Sequence, residues 1–193
     1  MQVNQLEQFI KIYKEPLANE TIGELLQFLD KQEKFTRGTT LGDPKGEGNN
    51  KSGEIRSVNE LNFTKYNPSM THVHWHNLLV RVLSYKAEHY RNNYSRTMPP
   101  VGITHLSALK YSKSDHYQFH TDHCREIPRT LSAIYLLNND YEGGDLVFDL
   151  AGEHFRVPKK PNTLIMWPSN HIYPHKVSEI KNGVRYSLVS WFL

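Results

Sequence analysis

The sequence predicts an α+β chain that is mainly β, with helices in the amino-terminal half supporting an antiparallel jelly roll or barrel in the carboxy-terminal half. Three observations lead there. Helical apolar spacing is confined to the residues before Pro99-Pro100, after which short segments rich in Val, Ile, Thr, Tyr and Phe alternate with turn residues. Those β segments leave no room for helical crossovers, which argues against a parallel βαβ sheet. With 193 residues and 38% apolar content the chain can bury one good-sized core, so a single domain is the simplest organisation.

Taken in order, Ile22, Leu25, Leu26 and Leu29 mark one face of a helix expected over residues 17–33, with Asn19 or Thr21 available as N-cap. Residues 36–57 are rich in Gly, Asn, Lys and Asp and nearly free of apolar side chains, so a long flexible loop is expected, either a lid or a linker. Within it, Gly46 to Ser52 only superficially matches a phosphate loop: no glycine precedes Lys51 and no strand precedes the glycines. A second helix is expected from Pro68 to about Tyr94, with Leu78, Leu79, Val82 and Leu83 as its buried stripe. His72, His74 and His76 lie in it, but only 72 and 76 share a helical face and no carboxylate or cysteine stands at ligand spacing, so they are read as incidental. Strands are expected at 102–111, 116–122, 130–137, 145–149, 153–157, 163–167, 173–177 and 185–192. The chain therefore divides into residues 1–99, helical support plus loop, and residues 100–193, the β core.

Charge and cysteine content narrow the function classes. Lys and Arg number 23 against 20 Asp and Glu, with no concentrated basic stripe, so the bulk field does not point to nucleic acid. Cys124 is the single cysteine and has no internal disulfide partner. The start MQVNQLEQFIKIYKEPL lacks a basic region followed by an apolar one, and no apolar run nears the roughly 20 residues of a membrane span. A soluble, cytoplasmic protein that does not span a membrane is expected, with peripheral contact left open.

The chemistry concentrates in two places. His120-Thr-Asp122 would put an imidazole and a carboxylate on one face of a strand. One distant histidine would complete a 2-His-1-carboxylate set, which suits a borderline-hard divalent metal and leaves coordination positions open. The second place is His175 with Arg185, separated by Asn182-Gly183, a spacing expected to project both from adjacent strands toward one cavity. The guanidinium fork of Arg185 suits a carboxylate in a partly desolvated pocket. Cys124, two residues past Asp122, would favour zinc if it were a ligand, but Arg125, Glu126 and Pro128 suggest the strand has ended, and it is read as incidental.

In these residues the chain resembles the Fe(II)- and 2-oxoglutarate-dependent dioxygenases of the prolyl 4-hydroxylase type. The resemblance covers roughly residues 100–193. It rests on Tyr111 nine residues before His120, on Tyr117-Gln-Phe-His120-Thr-Asp122, on Arg129-Thr-Leu-Ser-Ala-Ile-Tyr135-Leu-Leu-Asn138, on Tyr141-Glu-Gly-Gly-Asp-Leu-Val-Phe148, and on His175 with Arg185 ten residues on. It implies a double-stranded β-helix (jelly-roll, cupin-like) core, iron held by His120, Asp122 and His175, and Arg185 paired with the distal carboxylate of 2-oxoglutarate. Tyr111 would hydrogen-bond that carboxylate. Tyr117 and Arg129 stand where family members often contact substrate, although Arg129 reads equally as a solvated charge at a strand end, and Phe148, Tyr135, Trp167 and Trp191 are read as wall or core. Implied too are Fe(II), 2-oxoglutarate and O2, with ascorbate as an auxiliary reductant, and hydroxylation of a peptidyl proline or another amino-acid side chain as 2-oxoglutarate is decarboxylated to succinate and CO2. Rival readings are a hydroxylase or demethylase of a free small molecule or nucleobase, a non-catalytic cupin-like metal-binding module, and a zinc hydrolase.

Overall fold

The computed structural model describes residues 4–38, 54–64, 69–94, 97–99 and 101–193. At its centre β5 (Ile103–Tyr111) pairs antiparallel with β14 (Arg185–Phe192), which on its other side pairs with β7 (Leu131–Leu136) and through it with β11 (Thr163–Pro168). Alternation along these strands sorts the side chains onto two faces. Leu106 and Ala108, Ala133 and Tyr135, Leu164 and Met166, Tyr186 and Leu188 share one apolar cluster; Leu109 and Tyr111, Ile134 and Leu136, Ile165 and Trp167, and Val189 share another.

The first cluster is closed by two helices. α2 (Asn19–Asp30) contributes Ile22, Leu25 and Leu29, and the second long helix, α3 (Met70–Tyr94), contributes His72, Trp75, Leu79, Leu83, Ala87 and Tyr90 at steps of three and four. Each fully buried leucine of this stripe is worth roughly 1.5–3 kcal/mol of burial. Leu78 and Val82, expected inside the stripe, are half-buried at its flank. His72 packs 4.7 Å from the ring of Phe63, and burial lowers its pKa, as suits a neutral core imidazole. Asn19 does not cap α2: Ala18 is the cap residue, with no side-chain bond, because the Asn19 amide oxygen accepts instead from Asn162 Nδ2 at 2.7 Å. A short α1 (Asn4–Glu7) precedes these elements.

The second cluster fills the space between the large sheet and a smaller one. β10 (Glu153–Arg156), β9 (Leu146–Leu150), β12 (His175–Val177) and β6 (His116–His120) form this second antiparallel sheet, and β8 (Glu142–Gly143) pairs with β13 (Ile180–Asn182) at one end. Two facing antiparallel sheets around an apolar interior make a double-stranded β-helix. All eight expected strands are present.

Four strands of the amino-terminal half were not foreseen. β1 (Lys11–Lys14) extends the large sheet beside β11; β4 (Asn59–Asn62) and β2 (Thr36–Arg37) extend it beyond β5; β3 (Arg56–Ser57) joins the small sheet beside β6. Both ends of the expected loop 36–57 are thus strands, held by backbone pairing and without apolar alternation; residues 39–53, including Gly46 to Ser52, lie outside the described residues. No described helix is long and apolar enough to cross a membrane.

Candidate active site

β6 and β12 set His120 and His175 directly opposite each other in register. His120 Nδ1 lies 2.8 Å from the carbonyl of Gln118, and His175 Nδ1 lies 3.2 Å from that of Tyr173. A carbonyl only accepts, so both Nδ1 atoms carry hydrogen and both Nε2 lone pairs are left as donors to a metal. Asp122 faces them, with Oδ1 3.7 Å from His120 Nε2 and Oδ2 3.6 Å from His175 Nε2. These gaps exceed hydrogen-bond length, so the three groups converge without satisfying one another. Among the described residues they are the one His/Cys/Asp/Glu group whose ligand atoms, all within 4.8 Å, could hold a metal ion.

The surroundings favour the neutral form of His120 and the ionised form of Asp122. Burial, together with neighbouring His175, pushes the His120 imidazolium down to about 3. Burial alone would raise the Asp122 carboxyl, but His175 and His120, the Ser132 hydroxyl and Arg129 more than offset it and hold it below its ordinary value. Aromatic walls fix the rings: Tyr117 stacks on His120 at 3.5 Å and 14°, and Trp167 meets His175 edge-on at 4.8 Å, with Phe148 5.5 Å away.

Across the interior, on the large sheet, Arg185 is fully buried. Its NH1 donates to Ser187 Oγ at 2.8 Å, while Nε and NH2 are buried without a hydrogen-bond partner. Tyr111, paired with it in register, presents its ring 5.1 Å from the guanidinium carbon. The Tyr141 hydroxyl is also buried, with no partner at full hydrogen-bond geometry; burial raises its pKa, and the charge of Arg185 and its interaction with the hydroxyl oppose that rise. Gly144, at φ 63°, makes the approach possible, since a Cβ there would stand 2.9 Å from Tyr141 Cε2 and 3.1 Å from Arg185 Cδ. A buried cation with two unmet donors is costly by itself and is matched by an anion that takes both.

Several expectations change in detail. β6 ends at His120, so Asp122 reaches the site from a bend beyond the strand, its carbonyl held by Arg129 NH1 at 3.1 Å. His175 and Arg185 do not project from adjacent strands. Between them β13 carries the chain from the small sheet to the large one, and they stand in opposite sheets. Cys124 lies outside the cluster, with Sγ accepting from the Ile127 amide at 3.3 Å. Arg129 and Tyr117 both border the site. Trp191, read as core, is half-buried, and the Arg129 guanidinium lies 3.4 Å from the centre of its ring. Tyr135 and Trp167 are buried, in the outer and inner clusters respectively. Tyr141 and Ser187 were missed as polar groups of the Arg185 pocket; the signal for Tyr141 was its place before Gly143-Gly144. Ser132, Arg56 and Glu60 gave no signal.

Comparison with known proteins agrees with this geometry. Residues 106–193 match the 2OG-Fe(II) oxygenase superfamily. A PKHD-type hydroxylase of Prochlorococcus marinus (strain MIT 9301) is 32% identical over 96 residues, 48% of this chain and 42% of the relative, so the chain spans less than half the length of that protein. A Pseudomonas putida prolyl-4-hydroxylase structure superposes with a TM-score of 0.71 at 18% identity, covering 98% of this chain and 95% of that one. A Trichoplax adhaerens prolyl hydroxylase, solved with a hypoxia inducible factor peptide fragment, gives 0.74 at 18% identity, covering 100% and 87%. The class that the fold defines is therefore the double-stranded β-helix proteins, with a candidate metal site of two histidines and one carboxylate. Within it, residues 106–193 resemble the core of the 2-oxoglutarate- and Fe(II)-dependent oxygenases, and the compared relative and solved structures are hydroxylases of the PKHD and prolyl 4-hydroxylase types.

Proposed function

We propose that the protein hydroxylates a C–H bond of a peptidyl proline or another amino-acid side chain, converting 2-oxoglutarate and O2 to succinate and CO2 as one oxygen atom enters the substrate. The observation that carries the reading is the pairing of two unmet demands across one interior: three converging metal donors on one side and a buried guanidinium with free donors on the other. A ligand that chelates a metal at one end and bears a carboxylate at the other answers both, and 2-oxoglutarate is such a molecule. The peptide-bound Trichoplax relative supports a peptidyl substrate.

In this reading His120, Asp122 and His175 hold Fe(II) through Nε2, a carboxylate oxygen and Nε2. The Fe(II)–2-oxoglutarate pair, once bound, supplies the oxidising chemistry that activates O2. The chain's own residues do the rest. Gln118 and Tyr173 carbonyls keep the histidine hydrogens on Nδ1; Arg185, Ser187, Tyr111 and Tyr141 grip and orient the distal carboxylate; Phe148 and Trp167 exclude water from the interior. Tyr117 and Arg129, beside the metal donors, orient the substrate.

The test is an anaerobic titration with Fe(II) and 2-oxoglutarate, followed by O2 and assay of succinate. A visible charge-transfer band that needs both components, then succinate, is the expected result, and peptide and free amino-acid panels assayed for hydroxylation identify the substrate. A folded protein that develops no band overturns the reading in favour of a metal-binding module or a zinc enzyme.

A further inference from the structure

The small and large sheets are bridged, beside the metal donors, by a chain of contacts that starts and ends on them. β3 and β4 belong to different sheets yet are separated only by Val58, which is fully buried, so the backbone crosses between sheets there. Glu60 of β4 sits at this crossing. Its Oε2 accepts from Arg56 NH2 at 3.2 Å; its Oε1 meets His105 Nε2 at 3.0 Å and Ser107 Oγ at 2.7 Å. From that carboxylate two arms run to the metal donors. In one, Arg56 lies 5.2 Å from the ring centre of Tyr117, and Tyr117 is stacked on His120. In the other, His105 packs 4.7 Å from Trp191, Arg129 lies on Trp191, and Arg129 donates to the Asp122 carbonyl.

Ser107, His105 and Glu60 also have the composition of a nucleophile relay, but serine and carboxylate meet the same imidazole nitrogen, and Ser107 is fully buried. A relay needs the two partners on opposite nitrogens, so the cluster does no such chemistry. An anchoring role suits it better. The carboxylate is largely enclosed; burial would raise its pKa, but His105, Arg56 and Ser107 reverse this and bring it down to about 2, so a full charge stands between the two arms.

We propose that Glu60 is a positioning residue for the metal centre: it holds Arg56 and His105, and through them fixes the ring of His120 and the backbone of Asp122. This rests on the metal reading under Proposed function. It also assigns the amino-terminal half, outside the family match at residues 106–193, a direct part in the geometry of the centre.

The test uses Co(II), whose visible absorption reports ligand geometry without turnover or any substrate. Wild-type protein, Glu60→Gln and Ser107→Ala are titrated metal-free with Co(II). Gln at 60 keeps the size and an acceptor but removes the charge that both arms share; Ser107→Ala takes the serine contacts from the same carboxylate and from His105 but leaves Arg56 and His105 both on Glu60. Residues that support metal ligands from behind typically govern affinity by ten- to hundredfold, and Glu60→Gln is expected to bind Co(II) about tenfold more weakly with a shifted spectrum, whereas Ser107→Ala matches wild type in both. A role confined to stability would lower Tm and leave the spectrum unmoved, which overturns the inference. If Glu60→Gln does not fold, Arg56→Gln and His105→Asn release the arms separately; a spectral shift in either supports the inference, and unaltered Co(II) binding in both overturns it. Failure of wild-type protein to bind Co(II) overturns the metal reading and this inference with it; wild-type binding with an identical Glu60→Gln variant overturns this inference alone.

Discussion

At the pole of the candidate metal donors each imidazole is already committed: a carbonyl holds its Nδ1, an aromatic ring packs against it, and Asp122 stands opposite. At the Arg185 pole the reverse holds, with one guanidinium donor bound to Ser187 while Nε, NH2 and the Tyr141 hydroxyl have no partner at full hydrogen-bond geometry. The two arrangements suit different tasks. A metal site needs lone pairs aimed within tenths of an ångström, so its donors are oriented from behind. A carboxylate site draws affinity from donors released from unfavourable burial, so leaving them unmatched until the ligand arrives strengthens binding.

Removing a group at each pole should therefore give distinguishable losses. Asp122→Ala is expected to abolish Fe(II) or Co(II) binding and bring succinate formation to background with the far-ultraviolet circular dichroism unchanged; metal retained at the wild-type ratio would refute its role. Arg185→Gln should leave Co(II) affinity as in wild type and weaken 2-oxoglutarate by roughly ten- to hundredfold, the worth of a charge-assisted pair of about 1.5–3 kcal/mol. Calorimetric titration of the Co(II) protein with 2-oxoglutarate measures it, and an equal loss at both poles would mean they are not separable. Tyr141→Phe removes one neutral hydroxyl, worth about 1 kcal/mol, and should raise the 2-oxoglutarate dissociation constant roughly fivefold.

The smallest effect concerns the bridge between the sheets. The Glu60 carboxyl titrates near 2 rather than at its ordinary 4.5, so it favours the folded state fully above about pH 4.5 and progressively less as the pH falls toward 2. The Tm gap between wild type and Glu60→Gln should accordingly be constant above that range and narrow with acidification. A gap that is flat from pH 6 to pH 3 would show the charge to be irrelevant to stability.

How much of this was legible depended on the kind of signal each residue left. The four central strands of the large sheet were readable because Leu106 and Ala108, Leu131 and Ala133, Leu164 and Met166, and Tyr186 and Leu188 recur with the period of a pleated sheet and face a helix layer, and β6, β9, β10 and β12 because short β-prone segments stand between turn residues. β2, β3 and β4 were not, because Thr36-Arg37, Arg56-Ser57 and Asn59-Glu-Leu-Asn62 join sheet edges through backbone bonds, which any side chain permits. Asn19 has the composition of an N-cap but spends its side chain on Asn162, a partner 143 residues away.

The sequence by itself determined the β class of the carboxy-terminal half and the helices that cover it, since alternation and helical period are local rules that act within a few residues, and it supplied the two donor types of His120-Thr-Asp122 without the bend that brings Asp122 in. Tertiary structure alone decided that His175 and Arg185 stand on opposite sheets, that Tyr141 and Ser187 share the guanidinium pocket, and that Glu60 joins both arms leading to the metal donors. The physical reason is that these relations depend on which strand lies beside or across from which, and strand order is settled by the packing of the whole barrel rather than by any run of neighbouring residues.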